Sequence, residues 1–457
     1  MKPVIVLVGR PNVGKSTLFN QLTRSRDALV AEEPGLTRDR QYGEGKLGEK
    51  PFLVVDTGGI DIEKEGINAE MRSQAQLAMD EASTVILVTD AHEGLTAIEQ
   101  DLAEKLRSTG KPFWVAVNKT ESLDPDVAVA DFYQLSAKGV LPIAAAHRRG
   151  VQSLVEQVME EYPAVEEEEE KEKKIPYIAV VGRPNAGKST LVNRLLGEER
   201  VVVFDQPGTT RDSIFVPLER DDKEYMFIDT AGIRRRGKVS ERAEKFSIVK
   251  TIQAIDQANV VIVLFDAHRE ISEQDIRLAG FVANKGRAVI VAVNKWDGLS
   301  REKRKEVKKD LLRKLPFLQY ARVLFISALH GTAVGDLYPA IDEAYASAMA
   351  ELATPDLTRA IREAAEKTPP PMVEGRRIKP KFAHQGAKNP PVVVIHGNQV
   401  DKLKRPYKRY LENVVRKEFD LWGTPIRIET REQANPFKER NKNAKPTYSR
   451  KLRRKIR

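Results

Sequence analysis

The sequence predicts an α/β protein with two doubly wound, mostly parallel sheets followed by a small α+β domain. Three observations carry this reading. Residues 9–22, GRPNVGKSTLFNQL, and residues 182–195, GRPNAGKSTLVNRL, agree at 11 of 14 positions, so one unit occurs twice. In each unit short β-branched runs alternate with helical patterns, which implies right-handed βαβ crossovers with ligands at the carboxyl ends of the strands. Composition then changes near the C-terminus, where the alternation is lost.

The first unit spans residues 1–163. Its apolar runs at residues 4–8, 52–55, 85–88 and 113–117 are short and continuous, as expected of strands covered on both faces. Residues 164–174, AVEEEEEKEKK, lack apolar periodicity and read as an acidic linker; a solvated single helix is the alternative. The second unit, 175–352, repeats the pattern with strands expected near 177–181, 225–228, 260–265 and 288–293. Residues 353–437 form the third domain. A helix is expected at 358–367 and broken by Pro369-Pro370-Pro371; strands follow at 376–383 and 392–395, a helix at 407–422 and a strand at 426–430. Pro380 requires the first of these strands to lie at an edge or to end there. Residues 438–457 form a basic tail expected to be disordered in isolation.

A chain of 457 residues fits about three domains on a prior of roughly 150 residues each. No apolar run reaches the ~18–20 residues a membrane helix needs, and Met1-Lys2-Pro3 leads directly into a strand pattern rather than a signal peptide. The chain is therefore expected to be cytoplasmic, with no membrane partner. The chain has no cysteine, which excludes disulfides, thiolate metal sites and a cysteine nucleophile. Net charge is +10, but residues 372–457 hold 24 Lys+Arg against 8 Asp+Glu, leaving 52 against 58 for the rest. Such a concentrated basic end suits nucleic acid or anionic lipid, or else a solvated surface.

Both repeats contain GxxxxGK[ST], in which glycines let backbone N–H groups curl around phosphate oxygens at a helix N-terminus. The nucleotide-binding loops are Gly9, Arg10, Pro11, Asn12, Val13, Gly14, Lys15, Ser16 and Thr17, and Gly182, Arg183, Pro184, Asn185, Ala186, Gly187, Lys188, Ser189 and Thr190. Lys15 and Lys188 would reach the β- and γ-phosphates, and Ser16 and Ser189 offer hydroxyls to Mg²⁺. Asp56-Thr57-Gly58-Gly59-Ile60 and Asp229-Thr230-Ala231-Gly232-Ile233 each end a strand, where a carboxylate can hold Mg²⁺ and a flexible N–H can meet the γ-phosphate. Thr37 and Thr210, in PGLTRD and PGTTRD, can close on Mg²⁺ in the triphosphate state; alone, each would read as a polar loop residue. Gly9/Gly182, Thr37/Thr210 and Asp56/Asp229 are each 173 residues apart.

The base-reading residues come later. Asn294-Lys295-Trp296-Asp297 follows a strand, and its Asp can accept both guanine N1–H and N2–H₂, a pairing that adenine does not offer. Ser327-Ala328 supplies a loop for the guanine oxygen. The first unit reads Asn118-Lys119-Thr120-Glu121, with Glu one methylene longer than Asp, and Ala144-Ala145 where the second has Ser327-Ala328. Guanine selectivity is expected to be weaker there.

Two such units, an acidic linker, a small α+β domain and a basic tail, with PPVVVIHGNQVDKLKRPYKRYLENVVRK and TPIRIETREQANPF near the end, resemble the Der (EngA) family of tandem-G-domain ribosome-assembly GTPases over essentially the whole chain. The resemblance implies two P-loop NTPase G domains and a KH-like domain, GTP hydrolysis to GDP and phosphate at both sites, and a partner in the large (50S) ribosomal subunit or its precursor and its rRNA. It implies a monomer with Lys15, Thr37, Lys188 and Thr210 in the catalytic machinery, and Mg²⁺ held by Ser16, Thr37, Asp56, Ser189, Thr210 and Asp229. Ile60 and Ile233 stand where Ras-like proteins carry a water-orienting glutamine. In related GTPases K⁺ held partly by a loop asparagine supplies charge at the β–γ bridge, and Asn12 and Asn185 match that position; a turn-forming role is the alternative. Residues 372–440 contain no GxxG, so clamping of that type is not expected. The basic run Arg234-Arg235-Arg236-Gly237-Lys238 is a candidate rRNA or interdomain contact, or a solvated loop. Related tRNA-modifying and ion-transport GTPases carry a C-terminal cysteine motif or membrane spans, and this chain has neither.

Overall fold

A computed structural model describes residues 2–23, 29–31, 40–48, 50–57, 82–163, 175–197, 215–228, 248–373 and 377–432. The linker at 164–174 and the tail at 438–457 lie outside them, as do Thr37, Gly58, Gly59, Ile60, Thr210, the 229–233 segment and the basic run at 234–238. The chain divides into two compact units, Met1–Asp342 and Glu343–Arg457.

The first sequence repeat builds β1 (Val4–Val8), α1 (Lys15–Thr23), β2 (Leu29–Ala31), β3 (Arg40–Gly45), β4 (Phe52–Asp56), β5 (Thr84–Asp90), α2 (Ala97–Ser108), β6 (Phe113–Asn118), α3 (Pro125–Val129), β7 (Val140–Pro142) and α4 (Val151–Glu160). The strands lie in the order β2-β3-β4-β1-β5-β6-β7, with β1 parallel to both β4 and β5 and β3 antiparallel to β4. Because β1 is covered on both faces, all five of its residues are apolar: Val4, Val6 and Val8 enter one core, Ile5 and Leu7 the other. The reversal of strand order beside β1 opens a crevice at its carboxyl end, the position such sheets use for ligands.

The second repeat gives β8 (Tyr177–Gly182), α5 (Lys188–Gly197), β9 (Phe215–Arg220), β10 (Lys223–Ile228), α6 (Ile248–Gln257), β11 (Val260–Asp266), α7 (Glu273–Lys285), β12 (Ala288–Asn294), α8 (Arg301–Lys314), β13 (Arg322–Phe325) and α9 (Leu337–Met349). Strand order is β13-β12-β11-β8-β10-β9, with only β9 antiparallel to its neighbour. α7 starts at a Ser272–Asp275 capping box and stops at Gly286, whose φ of 83° supplies the left-handed residue that ends helices.

Within this unit the two repeats share a core. α6 is buried on two sides: Ala254 and Ile255 pack into the second repeat's core, whereas Val249 and Ile252 join Val4, Val6, Leu53 and Val85 of the first. Beside this apolar contact Lys2 and Glu44 of the first repeat and Asp256 and Lys285 of the second form an alternating four-charge ring. Lys285 lies 2.9 Å from Glu44 and 2.7 Å from Asp256, Lys2 lies 3.0 Å from Asp256, and Lys2 also pairs with Glu44. Burial pushes the Glu44 carboxyl up, but its bonds to Lys2 and Lys285 outweigh this and hold it below its ordinary value.

The C-terminal unit contains α10 (Thr354–Lys367), β14 (Lys379–Ala387), β15 (Val392–Asn398), α11 (Arg405–Glu418) and β16 (Arg427–Glu432). Both helices pack on one face of a sheet ordered β14-β15-β16, with Leu357, Ile361, Leu411 and Val415 against Val393, Ile395 and Ile428. Pro380 lies on the edge strand, as its missing N–H demands, and the ladder shifts register beside it. The strand expected at 376–383 runs three to four residues later, at Lys379–Ala387. The helix expected at 407–422 starts at Arg405, because proline at 406 is tolerated in a first turn, and ends at Glu418. Positive φ at Asp420 and Gly423 cannot continue it.

Ile252→Ala removes an anchor shared by two cores, at a cost of about 2–5 kcal/mol. Hydrogen exchange measured by mass spectrometry should then accelerate in peptides covering β1 and β5 as well as α6. An effect confined to residues 248–257 would mean that the cores are separable.

Candidate functional site

Each β1-like strand runs into a loop that the sequence makes glycine-dependent. Gly9 has φ 144°, and a Cβ there would lie 2.2 Å from the Val88 carbonyl oxygen; Gly182 (φ 159°) would meet Leu264 O at 2.5 Å. Asn12 and Asn185 take left-handed φ values of 66° and 63°, which asparagine tolerates. The helices then begin at Lys15 and Lys188. Both lysines are buried, at 5% and 8% exposure. The Lys15 ammonium donates to Gly9 O (2.8 Å) and Arg10 O (2.6 Å), and Lys188 donates to Arg183 O (2.9 Å). Two cations are thus held at helix N-termini beside curled backbone, a setting that suits a polyanion.

Asp56 is brought to this loop by β4. Its Oδ2 accepts from Ser16 Oγ at 2.7 Å, so a hard carboxylate and a hydroxyl meet beside Lys15, which fits the donor set of an octahedral divalent ion. Thr57 donates to Leu7 O at 2.8 Å and fixes the end of β4 against β1.

One side chain in each repeat ties the phosphate loop to the base loop. Asn118 Nδ2 donates to Val13 O (2.8 Å) while its Oδ1 accepts from Ala145 N (2.9 Å). Asn294 does the same with Ala186 O (2.8 Å) and Ala328 N (2.9 Å). Ala145 and Ala328 therefore occupy equivalent places, and so do Ala144 and Ser327. The following lysines pass over the loop: Lys119 pairs with Asp90 at 2.6 Å, and Lys295 with Asp266 at 2.8 Å and Asn185 O at 2.9 Å. Burial raises the Asp90 carboxyl, but Lys119 and the His92 N–H overcome it and hold the group below its usual range.

The two base loops then differ. The Ser327 hydroxyl bonds to the Asp297 carboxylate and holds it below the ordinary aspartate range, and His330 Nε2 lies 3.1 Å from it. Trp296 packs on Phe325 at a tilt of 37° with ring centroids 4.2 Å apart. In the first repeat Glu121 is exposed, Ala144 has no hydroxyl, and Thr120 instead bonds to Ile143 O at 3.0 Å.

Four positioning residues went unrecognised in the sequence: Asp90 and Asp266 behind the lysines, and Glu99 and Asp275, which pair with Arg10 and Arg183. The signal was present. Asp90-Ala91-His92 recurs as Asp266-Ala267-His268, and these pairs share the 176-residue offset of Asn118/Asn294.

Gly187→Ala tests the bridge directly, because its Cβ would lie 2.3 Å from Asn294 Nδ2 at a backbone φ of 98°. Nucleotide affinity at the second loop, measured by mant-nucleotide fluorescence in a Lys15→Ala background, should fall about tenfold or more, as expected for ~1–3 kcal/mol of strain. Unchanged affinity would remove the asparagine bridge from the binding geometry.

Comparison with known proteins agrees with this geometry. The chain matches the 50S ribosome-binding GTPase family at residues 4–119 and again at 177–295, and the KH-domain-like C-terminal family of EngA bacterial GTPase enzymes at 352–431. It is 53% identical over 451 residues to GTPase Der of Hahella chejuensis, covering 99% of this chain and 96% of that protein. It is 50% identical to GTPase Der of Vibrio cholerae (100% and 98% covered) and 51% identical to that of Escherichia fergusonii (99% and 98%). Aquifex aeolicus Era bound to GDP and aluminium fluoride matches at 22% identity, covering 56% of this chain and 93% of that one, with a TM-score of 0.29, too slight a likeness to inform the site. With two matched G domains, a matched KH-like domain and half of all residues shared end to end, the chain belongs to the GTPase Der family and is a GTPase.

Proposed function

We infer that the protein hydrolyses GTP to GDP and phosphate at two sites and uses that cycle to time its binding to the large ribosomal subunit or its precursor in the cytoplasm. The observation that carries the two-site reading is the duplicated asparagine bridge, which couples a phosphate loop to a base loop in both repeats. The ribosomal reading rests on the 50S-binding family matched twice and on the basic balance of residues 372–457. A monomer that meets rRNA through this end would bind with strong salt dependence.

In each site the loop N–H groups and Lys15 or Lys188 would bind the β- and γ-phosphates. Asp297 would accept from guanine N1–H and N2–H₂. Ser16, Thr37 and Asp56, with Ser189, Thr210 and Asp229, would hold Mg²⁺, whose charge stabilises the phosphate oxygens during transfer. Asn12 and Asn185 are our candidates for holding K⁺. Ile60 and Ile233 orient no water, so rate enhancement would come from positioning and electrostatics without a covalent intermediate.

A second reading is favoured by exposed Glu121 and by Ala144: the first G domain binds nucleotide and gates the second without turnover. Single-turnover hydrolysis by Lys15→Ala and Lys188→Ala, run in K⁺ and in Na⁺, distinguishes the two. Two active sites predict that each variant loses its own domain's turnover by about 10²-fold or more while keeping the other's. Full activity in Lys15→Ala identifies a gate, and equal rates in the two salts remove K⁺ from both asparagines.

Co-sedimentation with purified 50S subunits tests the ribosomal role. Binding is expected with a non-hydrolysable GTP analogue and not with GDP; failure in both states at low salt would overturn the assignment.

A further inference from the structure

The three-stranded sheet of the C-terminal unit has one face covered by α10 and α11 and a second face of different chemistry. Ala383, Val393, Ile395 and Ile428 enter the helix-covered core. Alternation along the strands puts Phe382, His384 and His396 on the opposite face. The register pairs Phe382 with His396 and His396 with Arg431, and it sets Arg427 beside Val392 and Lys379 beside Asn398. The three rings form one surface: His384 and His396 stack at 5.1 Å and 21°, Phe382 and His384 at 5.6 Å and 25°, and Phe382 and His396 lie 5.7 Å apart. Phe382 is 42% exposed. On this face Lys379, Arg427 and Arg431 outnumber the single carboxylate of Glu429.

Resting on the ribosomal reading above, we propose that this face binds single-stranded RNA by stacking bases on Phe382, His384 and His396, with Lys379, Arg427 and Arg431 on the phosphates. A sheet face bearing clustered rings gives sequence-tolerant base stacking, and flanking cations supply the backbone term. A protein partner of ordinary composition would leave the three cations desolvated without counter-charge, whereas a nucleic acid brings one anion with every base. This mode needs no GxxG loop, which residues 372–440 lack.

The test is fluorescence anisotropy of the full-length protein with a labelled, mixed-sequence RNA of about 12 nucleotides, a length within single-strand site sizes. Phe382→Ala should weaken binding about tenfold and Phe382→Ala/His396→Ala about a hundredfold, with the salt slope unchanged. Phe382→Trp should retain binding, which separates lost stacking from lost folding. Arg427→Gln and Arg431→Gln should each lower the salt slope by about 0.7. Wild-type affinity in the aromatic variants would overturn the proposal, as would an equal loss of affinity for a duplex of the same sequence. If the variants bind RNA normally while the wild type still sediments with 50S subunits, this inference alone falls. If the wild type binds neither, the ribosomal reading falls with it.

Discussion

The asparagine that closes each nucleotide site is the constraint on which the rest of the site depends. Its amide must donate to the phosphate loop and accept from the base loop at once, so the ends of β1 and β6, or of β8 and β12, cannot move independently. That requirement reaches back into the loop sequence. Gly14 and Gly187 must lack a Cβ because one would lie 2.2–2.3 Å from the asparagine Nδ2. The second glycine of the motif therefore makes room for the side chain that ties the two loops together. Asn118 and Asn294 are buried at 4% and 3% exposure, so an amide without both partners would carry the desolvation cost of an unpaired polar group, about 1–3 kcal/mol.

A second linkage joins the two repeats to each other through α6 and α7. α6 begins next to the segment that follows the Asp229 motif, and β3 begins next to the segment that holds Thr37. The four-charge ring and the contact of Val249 and Ile252 with Val4, Val6, Leu53 and Val85 hold α6 and α7 of the second repeat against β1, β3, β4 and β5 of the first. The apolar part supplies the affinity. The charges alternate in sign around the ring, so each carboxylate has a lysine from each repeat.

Most of the fold and the glycine loops before α1 and α5 were legible in the sequence because those features are local. A buried parallel strand must be a short apolar run, and a phosphate loop must carry glycines at fixed spacing before a helix. The anchors Asp90, Asp266, Glu99 and Asp275 act across space and left only a faint trace, a repeated Asp-Ala-His and a capping box. The dual burial of α6 was illegible for a related reason: its apolar residues announce a core without saying that there are two. The aromatic face of the C-terminal sheet was hidden because β14 starts later than its apolar residues suggest, and only the register brings Phe382 beside His396.

The divergence between the repeats follows the same division. The loop glycines, lysines and asparagines must satisfy geometry inside their own domain, and the two copies have kept them. Asp297 has neighbours in Ser327, which lowers its carboxyl, and in His330, whose Nε2 lies 3.1 Å away. Glu121 has no such neighbour at Ala144, and its longer side chain is exposed. The two repeats are therefore built alike around the glycine loop and its asparagine bridge, and unlike at the loop that carries Asp297 in one and Glu121 in the other.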